Sequence, residues 1–234
     1  MNPEKILVII PAYNEEASIG GVIADVRKNV PEADIVVVND GSGDSTGSIA
    51  QRLGAAVLHH PYNLGIGATM QTGYKYARLK GYGIAVQVDA DGQHPADQIR
   101  LLVKPLLEKK ADIVVGSRFL DEGGYRPSFA RSAGMAVFSK LVSAIIGERV
   151  SDTTSGFRAA GRRCIEFFCR RYPDDYPEVE ALVLLHKGGF SIIEVPVRMS
   201  ERAGGRSSIT PMKSLYYMVK VLLAISVDLL KKTG

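Results

Sequence analysis

The sequence predicts an α/β fold in which a mainly parallel, doubly wound sheet carries helices on both of its faces. Short runs of β-branched residues alternate with helical patterns through the first half of the chain, which is the rhythm of βαβ units. The strand runs are also continuously apolar, beginning with KILVII at residues 5–10, as expected of strands buried on both faces of a parallel sheet. With 234 residues, 46% of them hydrophobic and 23% charged, the chain suits one compact domain.

The elements of the first half follow in order along the chain. The first strand ends at Pro11, and apolar residues at helical spacing follow from residue 19 to residue 30. Pro95 suits the first turn of the helix that comes after the fourth strand. We predict strands at residues 5–10, 34–39, 56–59, 84–88 and 112–116, with helices at residues 19–30, 45–53, 65–80 and 95–109 between them.

The alternation ends after Arg118. Residues 119–133 hold glycine, proline and two arginines, which indicates a loop long enough to be functional. We therefore divide the single domain 1–234 into residues 1–118, residues 119–210 and a C-terminal amphipathic helix at 211–234. The remaining predicted elements are helices at 134–146, 162–171 and 178–187, a strand at 191–198, a Gly-rich segment at 201–208 and a last helix beginning near Pro211.

Composition and charge exclude several classes of protein. The net charge of +4 is too small an excess to demand nucleic acid, so no nucleic-acid partner is expected. Cys164 and Cys169 give neither a disulfide framework nor a zinc site. No signal peptide is predicted, and the longest apolar stretch, residues 215–230, is broken by Lys220 and Asp228. We expect a cytoplasmic protein that is free or peripheral on the membrane.

Three of the predicted strands end in polar residues. These ends read PAYNEE at residues 11–16, NDGS at 39–42 and DADGQ at 89–93. Ligands bind at the carboxyl ends of the strands of an open parallel sheet, so we expect the three segments to form one site. Acidic residues such as Asp40 and Asp91 also cap turns, and both roles are open at this point.

The pair Asp89 and Asp91 is the sharpest of these signals. Two carboxylates separated by one residue, just past a buried strand, can both turn toward one hard cation. Oxygen ligands suit Mg²⁺ or Mn²⁺, which keep coordination positions for phosphate oxygens, and Gln93 can add a neutral oxygen. General acid–base carboxylates explain the close spacing less well. His94, beside Pro95 at a helix start, is expected to be structural.

A glycine pair begins the predicted helix at 65–80. Gly65 and Gly67 suggest a dinucleotide fingerprint, but the third glycine position holds Met70, so the fingerprint is absent. The loop still offers a helix N-terminus at which a phosphate or a base can bind.

Several strings of the chain, taken in order, resemble inverting family 2 glycosyltransferases. IPAYNEE at residues 10–16 is similar to the opening of that family, and VNDGSGDST at 38–46 and NLGIG at 63–67 continue the resemblance. DADGQHP at 89–95 is similar to the metal-binding motif of the dolichyl-phosphate mannose synthase branch. The matching strings of the second half, which extend the resemblance over nearly the whole chain, are GSR at 116–118, DTTSGFR at 152–158 and residues 202–209.

The resemblance implies the type A glycosyltransferase (GT-A) fold, a nucleotide-sugar donor and a divalent cation, Mg²⁺ or Mn²⁺. It implies that Asp89, Asp91 and Gln93 hold the metal that bridges the diphosphate, with Asp91 counted as catalytic. Residues 1–118 then form the nucleotide-sugar half, and residues 119–210 form the acceptor half. The residues implied for nucleotide-sugar binding are Pro11, Tyr13, Glu15, Asp40, Gly67, Asp89, Ala90 and Arg202.

Two departures from the family pattern leave the donor open. Asn39 stands where many members have a second aspartate. The loop at 204–208 reads GGRSS, whereas mannose synthases of this branch commonly carry a lysine after the serine. The nucleotide is therefore GDP or UDP, and the sugar is mannose, glucose or an N-acetylhexosamine.

The acceptor can be argued from charge. A hydroxyl acceptor needs a carboxylate base close by. A polyprenyl phosphate is already anionic at neutral pH, because its second pKa is about 6, and needs cations instead. We assign Arg118, Arg131 and Asp152 to catalysis. Asp152 or Glu178 could also serve as the base that a hydroxyl acceptor needs, so that acceptor stays open. The second half offers six arginines, most of them in predicted loops: Arg118, Arg126, Arg131, Arg158, Arg202 and Arg206.

The predicted C-terminal helix bears on the acceptor as well. Lys213, Lys220 and Lys231 form a narrow stripe among apolar residues, a pattern that suits a helix lying in a membrane interface. Packing into the core or against a second copy of the chain explains the same pattern, so a homo-oligomer stays open.

These features predict a metal-dependent inverting glycosyltransferase that moves a hexose from a GDP- or UDP-linked donor to a polyprenyl or dolichyl phosphate at the cytoplasmic membrane face. An alternative within the family transfers sugar to a glycan hydroxyl in cell-surface polysaccharide synthesis. A non-catalytic nucleotide-sugar-binding module is the second alternative. A sugar-phosphate nucleotidyltransferase is disfavoured, because residues 11–16 lack the Gly-rich, basic loop expected after its first strand.

Overall fold

The computed structural model describes residues 4–120, 139–140, 142–145, 147, 150–174 and 177–200, which hold one sheet with helices on both faces. The strands are β1 (Ile6–Ala12), β2 (Asp34–Asn39), β3 (Ala56–His59), β4 (Ile84–Gln87), β5 (Ile113–Ser117), β6 (Arg158–Gly161) and β7 (Ile192–Pro196). The helices are α1 (Ile19–Asn29), α2 (Thr46–Arg52), α3 (Ile66–Leu79), α4 (Ile99–Leu107), α5 (Arg162–Arg170) and α6 (Pro177–Lys187).

The sheet has the order β3-β2-β1-β4-β6-β5-β7 and is mainly parallel, which confirms the predicted fold class. One strand departs from the prediction, because β6 lies antiparallel between β4 and β5 and was not expected from the sequence. Its sequence, RAAG, is short and has little β propensity of its own. Pairing with β4 and β5 on either side makes these four residues a strand.

The core has two layers, one on each face of the sheet. Strand β1 shows why, because all seven of its residues are buried and successive side chains point to opposite faces. Val8 and Ile10 belong to the layer formed with α1 and α4. Leu7 and Ile9 belong to the layer formed with α3 and α5. The continuously apolar strand therefore reflects burial on both faces, as predicted.

Most predicted elements lie within a few residues of the observed ones. The predicted helix at 95–109 is a 3-10 turn, Ala96–Gln98, followed by α4. Residues 139–140 and 142–145 are helical, within the predicted helix at 134–146. Most of the predicted loop at 119–133, the Gly-rich segment at 201–208 and the C-terminal helix at 211–234 lie outside the described residues. The division into a donor and an acceptor half stays a prediction.

The strand register brings the loops that follow β1, β2, β3 and β4 to one edge of the sheet. Ala12 pairs with Asn39 at the ends of β1 and β2, and Asn39 pairs with His59 at the end of β3. On the other side of β1, Gln87 ends β4 opposite Arg158 of the antiparallel β6. We call this the carboxyl edge of the sheet.

Candidate active site

The loops after β1 and β2 are tied together by side chain–backbone hydrogen bonds. The Asn14 N–H donates to Ser42 Oγ over 3.0 Å, and Asn14 Oδ1 accepts the N–H of Gly43 over 2.9 Å. The Glu15 N–H donates to Thr46 Oγ1 over 2.8 Å. Asn14 has φ +54°, a left-handed conformation that asparagine tolerates better than most residues. The two loops therefore form a single unit at the carboxyl edge.

An ionised aspartate reinforces this unit. Partial burial alone would raise the pKa of Asp44, but hydrogen bonds from the Thr46 hydroxyl and from the N–H groups of Thr46 and Glu16 outweigh it and hold that pKa below its usual value. The Glu16 carboxylate accepts the Ser45 N–H over 3.0 Å in return. Each loop thus supplies a carboxylate to the backbone of the other.

The predicted donor residues Pro11, Tyr13 and Glu15 lie on β1 or on the loop that follows it. Pro11 is buried within β1, whereas the Tyr13 side chain is 49% exposed just after the strand. Glu15 is half-buried, and its Oε2 accepts the Ser18 hydroxyl over 2.7 Å. An exposed aromatic ring in this position can stack on a nucleobase. Contact of these residues with a nucleotide stays a prediction.

Asp40 holds the turn that precedes α3. Its Oδ1 accepts the Leu64 N–H over 2.9 Å and lies 2.7 Å from Nδ1 of His60, while its Oδ2 accepts the Gly65 N–H over 2.9 Å. His60 Nε2 lies 2.9 Å from Thr72 Oγ1 in α3. Asp40 is buried, so these contacts use a carboxylate that is largely shielded from solvent. The turn-holding role is observed, and the predicted contact with a base or ribose stays a prediction.

Gly67 lies where two segments meet backbone to backbone. A Cβ atom on this residue would come within 2.3 Å of the carbonyl oxygens of Pro173 and Asp174. This close approach between α3 and the segment before α6 explains why position 67 is a glycine, and the explanation does not require a bound ligand. Nucleotide binding at Gly67 therefore stays a prediction.

The Asp89–Ala90–Asp91 turn follows β4 at the carboxyl edge. Asp91 and Ala90 are buried, whereas the Asp89 side chain is 36% exposed. Asp91 Oδ1 accepts the Gln93 N–H over 2.9 Å, and Asp89 Oδ1 accepts the Gln87 side-chain amide over 3.2 Å. The residues predicted to hold a metal thus lie together in one tight turn.

This donor set fits a divalent cation whose coordination is completed by a nucleotide. Among the described residues, no three His, Cys, Asp or Glu side chains converge as a self-sufficient metal site. Mg²⁺ commonly binds through one or two carboxylates together with substrate phosphates and water. Two aspartates in one turn, with Gln93 two residues after Asp91, match that pattern.

His94 joins the Asp89–Ala90–Asp91 turn to the second half of the chain. Its Nδ1 accepts the Asp89 N–H over 3.0 Å, so the ring proton of the neutral imidazole is on Nε2, which lies 3.7 Å from Asp89 Oδ2. The ring stacks on Phe157 with centroids 4.8 Å apart. A Cβ on Gly156 would come within 2.9 Å of Gln87 Nε2 and 3.3 Å of Asp89 Oδ2. The structural role predicted for His94 fits these contacts.

Arg118, which directly follows β5, forms a bidentate ion pair with Asp152. Arg118 Nε lies 2.6 Å from Asp152 Oδ2, and Nη2 lies 2.7 Å from Oδ1. The Asp152 side chain has no exposed surface, and that of Arg118 is 15% exposed. Nη2 also donates to Thr154 Oγ1 over 2.9 Å. The structure therefore brings together two of the residues assigned to catalysis.

Glu178 lies close enough to Arg158 and Asp89 for both of their charges to act on its carboxyl group. Arg158 is buried, and its guanidinium donates to the carbonyl oxygens of Ser155 and Thr153 over 2.7 and 3.2 Å. Burial raises the pKa of Glu178, the Asp89 charge adds to the rise, and Arg158 opposes it. Glu178 is thus a half-buried carboxylate with an increased affinity for a proton.

Two predicted site residues, Arg131 and Arg202, lie outside the described residues. Two residues before Arg202 the chain contacts the segment that follows the Asp89–Ala90–Asp91 turn, because the Ser200 N–H donates to the Gln93 carbonyl over 3.0 Å. The sequence prediction also missed Glu194, whose carboxylate accepts the N–H groups of Ser151 and Asp152. A charged residue inside the apolar strand IIEVP is the signal that could have drawn attention to it.

Comparison with known proteins identifies the family. The family model described as Glycosyl transferase family 2 matches residues 7–168. The chain belongs to glycosyl transferase family 2. This family 2 glycosyltransferase is 30% identical over 228 residues to the polyprenol monophosphomannose synthase of Mycolicibacterium smegmatis, an alignment that covers 93% of this chain and 86% of that protein. It is also 30% identical over 218 residues to the UDP-N-acetylglucosamine–dolichyl-phosphate N-acetylglucosaminyltransferase of Methanococcus voltae, covering 85% of this chain and 86% of that protein.

A solved structure shares the fold of this family 2 glycosyltransferase. Glucosyl-3-phosphoglycerate synthase of Mycobacterium tuberculosis, in complex with Mn²⁺, UDP and phosphoglyceric acid, superposes with a TM-score of 0.73 at 24% identity, covering 97% of this chain and 78% of that one. The likeness confirms the predicted GT-A fold. Membership of a family of sugar-transferring enzymes also makes this chain an enzyme, so the non-catalytic binding module is set aside.

Proposed function

We propose that this glycosyltransferase moves a hexose from a GDP- or UDP-linked donor to a polyprenyl or dolichyl phosphate, with inversion at the anomeric carbon and with Mg²⁺ or Mn²⁺ bound. One observation carries the choice of acceptor. Arg118 is fixed at the end of β5, a strand whose end lies at the same sheet edge as the Asp89–Asp91 turn. Relatives named for polyprenol and dolichyl-phosphate substrates support the same choice.

On the donor side, the tied loops after β1 and β2 would hold the nucleoside. The Tyr13 ring is exposed for a base, with the buried Pro11 two residues before it and the half-buried Glu15 two residues after it. Asp89, Asp91 and Gln93 would bind the cation, which when present offsets negative charge on the departing diphosphate. These side chains lie in one short turn, so the donor would be oriented with its diphosphate over β4.

On the acceptor side, a phosphate needs no base, because it is already anionic at neutral pH. Arg118 would orient the phosphate oxygen toward the anomeric carbon, and Arg131 and Arg202 are further proposed cations. Inversion follows from a single displacement in which the phosphate oxygen forms the new glycosidic bond while the bond to the nucleoside diphosphate breaks. The site would thus work by positioning and charge rather than by proton transfer.

Transfer assays test this proposal directly. The purified protein is incubated with Mn²⁺, a panel of radiolabelled GDP- and UDP-sugars, and either a polyprenyl phosphate in detergent or a soluble oligosaccharide. We expect label in the lipid phase with one nucleotide series and loss of transfer when EDTA is added. Label found only in the oligosaccharide would contradict the lipid acceptor.

A hydroxyl acceptor remains the second candidate because of Glu178. Burial raises the pKa of this half-buried carboxyl group, and the charge of Asp89 adds to the rise. A raised pKa is typical of a carboxylate that acts as a general base near a reaction centre. This candidate would be favoured if the wild type glycosylates the oligosaccharide and Glu178→Gln does not, although the variant still binds the donor.

We further propose that the enzyme acts at the cytoplasmic face of the membrane. In the part of the chain that the structure describes, no helix is long and apolar enough to cross a bilayer. We propose that contact with the lipid is made at the membrane surface.

A further inference from the structure

The ion pair of Arg118 with Asp152 is backed by a second carboxylate, Glu194. We infer that Asp152 and Glu194 are positioning residues, which act on the acceptor through Arg118, and that Asp152 is not the base of the reaction. This inference rests on the proposed function, in which Arg118 orients an anionic acceptor. Three features of the network carry it.

The first feature is that the hydrogen-bonding capacity of Asp152 is used by the protein. A carboxylate has about four lone-pair directions for hydrogen bonds. Oδ2 accepts Arg118 Nε over 2.6 Å and the Arg118 backbone N–H over 3.2 Å. Oδ1 accepts Arg118 Nη2 over 2.7 Å and the Thr154 hydroxyl over 3.3 Å. A base needs a lone pair directed at the substrate, and this carboxylate, with no exposed surface, offers none.

The second feature is that the backbone bearing Asp152 is itself held. Glu194 Oε2 accepts the Ser151 N–H over 2.7 Å, and Oε1 accepts the Asp152 N–H over 2.8 Å. Glu194 belongs to β7 and pairs in register with Val115 of β5, the strand that ends just before Arg118. Hydrogen bonds to an ionised acceptor are roughly twice as strong as neutral ones, so this double contact fixes residues 151–152 firmly.

The third feature is that Ser151 and Asp152 contact the end of β5 at two successive residues, Ser117 and Arg118. Ser117, the last residue of β5, lies with its Oγ 2.7 Å from Ser151 Oγ. Arg118 therefore follows a residue anchored to residue 151 and carries a guanidinium anchored to residue 152. Two of its three nitrogens, Nε and Nη2, are committed to Asp152, which sets the plane of the whole group. An arginine held in this way loses less conformational entropy when it binds an anion.

A double-mutant cycle between Arg118 and Asp152 tests the inference. Acceptor and donor KM, kcat and the pH profile are measured for the wild type, Arg118→Ala, Asp152→Asn and the double variant. Loss of a charge-assisted contact predicts that Asp152→Asn raises acceptor KM about tenfold or more in the wild type. In the Arg118→Ala background the same change should have almost no effect, because the residue through which Asp152 acts is gone. Donor KM and the shape of the pH profile should stay the same.

Glu194→Gln gives a second, milder measurement. The amide retains one oxygen acceptor but turns an NH₂ group toward a backbone N–H, so acceptor KM should rise in the same direction and by less. Asp112→Asn is the matched control, because the half-buried Asp112 forms an ion pair with Arg163 over 2.9 Å and lies immediately before the first residue of β5, at the end far from Arg118. This control should leave acceptor KM unchanged.

Folding is followed for every variant by circular dichroism and thermal unfolding. Should Asp152→Asn fail to fold, the cycle is run with Glu194→Gln and Arg118→Ala instead. The inference is overturned, and Asp152 is a base, if Asp152→Asn lowers kcat equally in the wild type and in Arg118→Ala and abolishes one limb of the pH profile. If the wild type glycosylates only a hydroxyl acceptor, the proposed function fails, and the same cycle on that acceptor still decides between additive and coupled losses.

Discussion

At the scale of single residues, the aspartates of the carboxyl edge divide by what their oxygens contact. Asp40 and Asp152 are buried and accept several hydrogen bonds each from the surrounding loops. Asp89 is partly exposed and contacts a side-chain amide. All of them look alike in the sequence, as acidic residues after a predicted strand or in a predicted loop. The partners of a carboxylate decide whether it holds the fold or faces a ligand, and those partners are distant in sequence.

Asp91→Asn tests the proposed metal ligands at this scale. We expect metal-dependent donor binding to be lost, because an amide is a weaker, uncharged ligand for a hard cation. The fold should persist, since the retained Oδ1 can still accept the Gln93 N–H. Titration calorimetry with Mn²⁺ and the donor found in the transfer assay gives the measurement. Asp97→Asn, an exposed aspartate six residues further on, is the control, and wild-type affinity in Asp91→Asn would remove the metal assignment.

The raised pKa of Glu178 predicts a pH-dependent stability. Because the folded-state pKa lies above the ordinary value of 4.5, the folded protein binds more protons than the unfolded chain in that window, and stability falls as pH rises through it. Glu178→Gln should not lose stability in this way, because its amide does not ionise. Its thermal midpoint in EDTA should match the wild type near pH 4.5 and exceed it increasingly toward neutral pH. A constant difference at all pH values would contradict the shift, and Glu166→Gln, at an exposed position, controls for removal of a carboxylate.

At the scale of elements, local pattern predicts β1 to β5 and β7, and misses β6. The six predicted strands carry apolar or β-branched runs, and burial of those runs needs no knowledge of the partner strand. Strand β6 carries Arg158 and two alanines, and it exists because β4 and β5 leave a place between them. Its antiparallel direction also places Arg158 at the carboxyl edge, opposite Gln87, which is two residues before Asp89. The sequence could not predict that placement, because it depends on long-range pairing.

Helix α3 offers a packing test at this scale. A Cβ on Gly73 would lie 2.4 Å from Ile9 Cγ2, so Gly73→Ala should destabilise the protein by about 1–3 kcal/mol through overpacking. Gly21→Ala in α1 is the matched control, since nothing lies within 4 Å of its Cβ position. Better helix propensity should make this control more stable by roughly 0.5–1 kcal/mol. Urea unfolding measures both, and equal effects would show that α3 and β1 are not in close contact.

At the scale of the whole molecule, the parallel sheet gathers residues from distant parts of the chain at one edge. The sequence could predict this gathering, because parallel strands share the direction of their carboxyl ends. It could not predict that Asp40 would hold residues 60–65 or that Glu194 would hold residue 152, since such side-chain pairings are not written in any local pattern. The sequence therefore predicts where the candidate site lies and which chemical groups it contains. It predicts less well which of these residues hold the loops in place and which face a ligand.

Membrane contact is the property of the whole molecule that the lipid acceptor requires. A long-chain polyprenyl phosphate cannot leave the bilayer, so the enzyme must reach the headgroup at the surface. The predicted helix at 211–231, which lies outside the described residues, is the proposed in-plane anchor, with apolar burial supplying most of its affinity. Its three lysines should add attraction to anionic lipid of about 1 kcal/mol per charge.

Liposome flotation with the full-length protein tests this anchor. Binding should strengthen with the fraction of anionic lipid and weaken partly in high salt, because salt screens the lysines and leaves apolar burial in place. Replacing Lys213, Lys220 and Lys231 together by Gln should remove the dependence on anionic lipid while retaining the salt-resistant part. Truncation after Pro211 should release the protein altogether, with circular dichroism to verify that the rest stays folded. A folded full-length protein that ignores anionic liposomes yet glycosylates a water-soluble sugar would exclude the lipid acceptor and favour the hydroxyl one, because no surface contact would then be needed to reach the substrate.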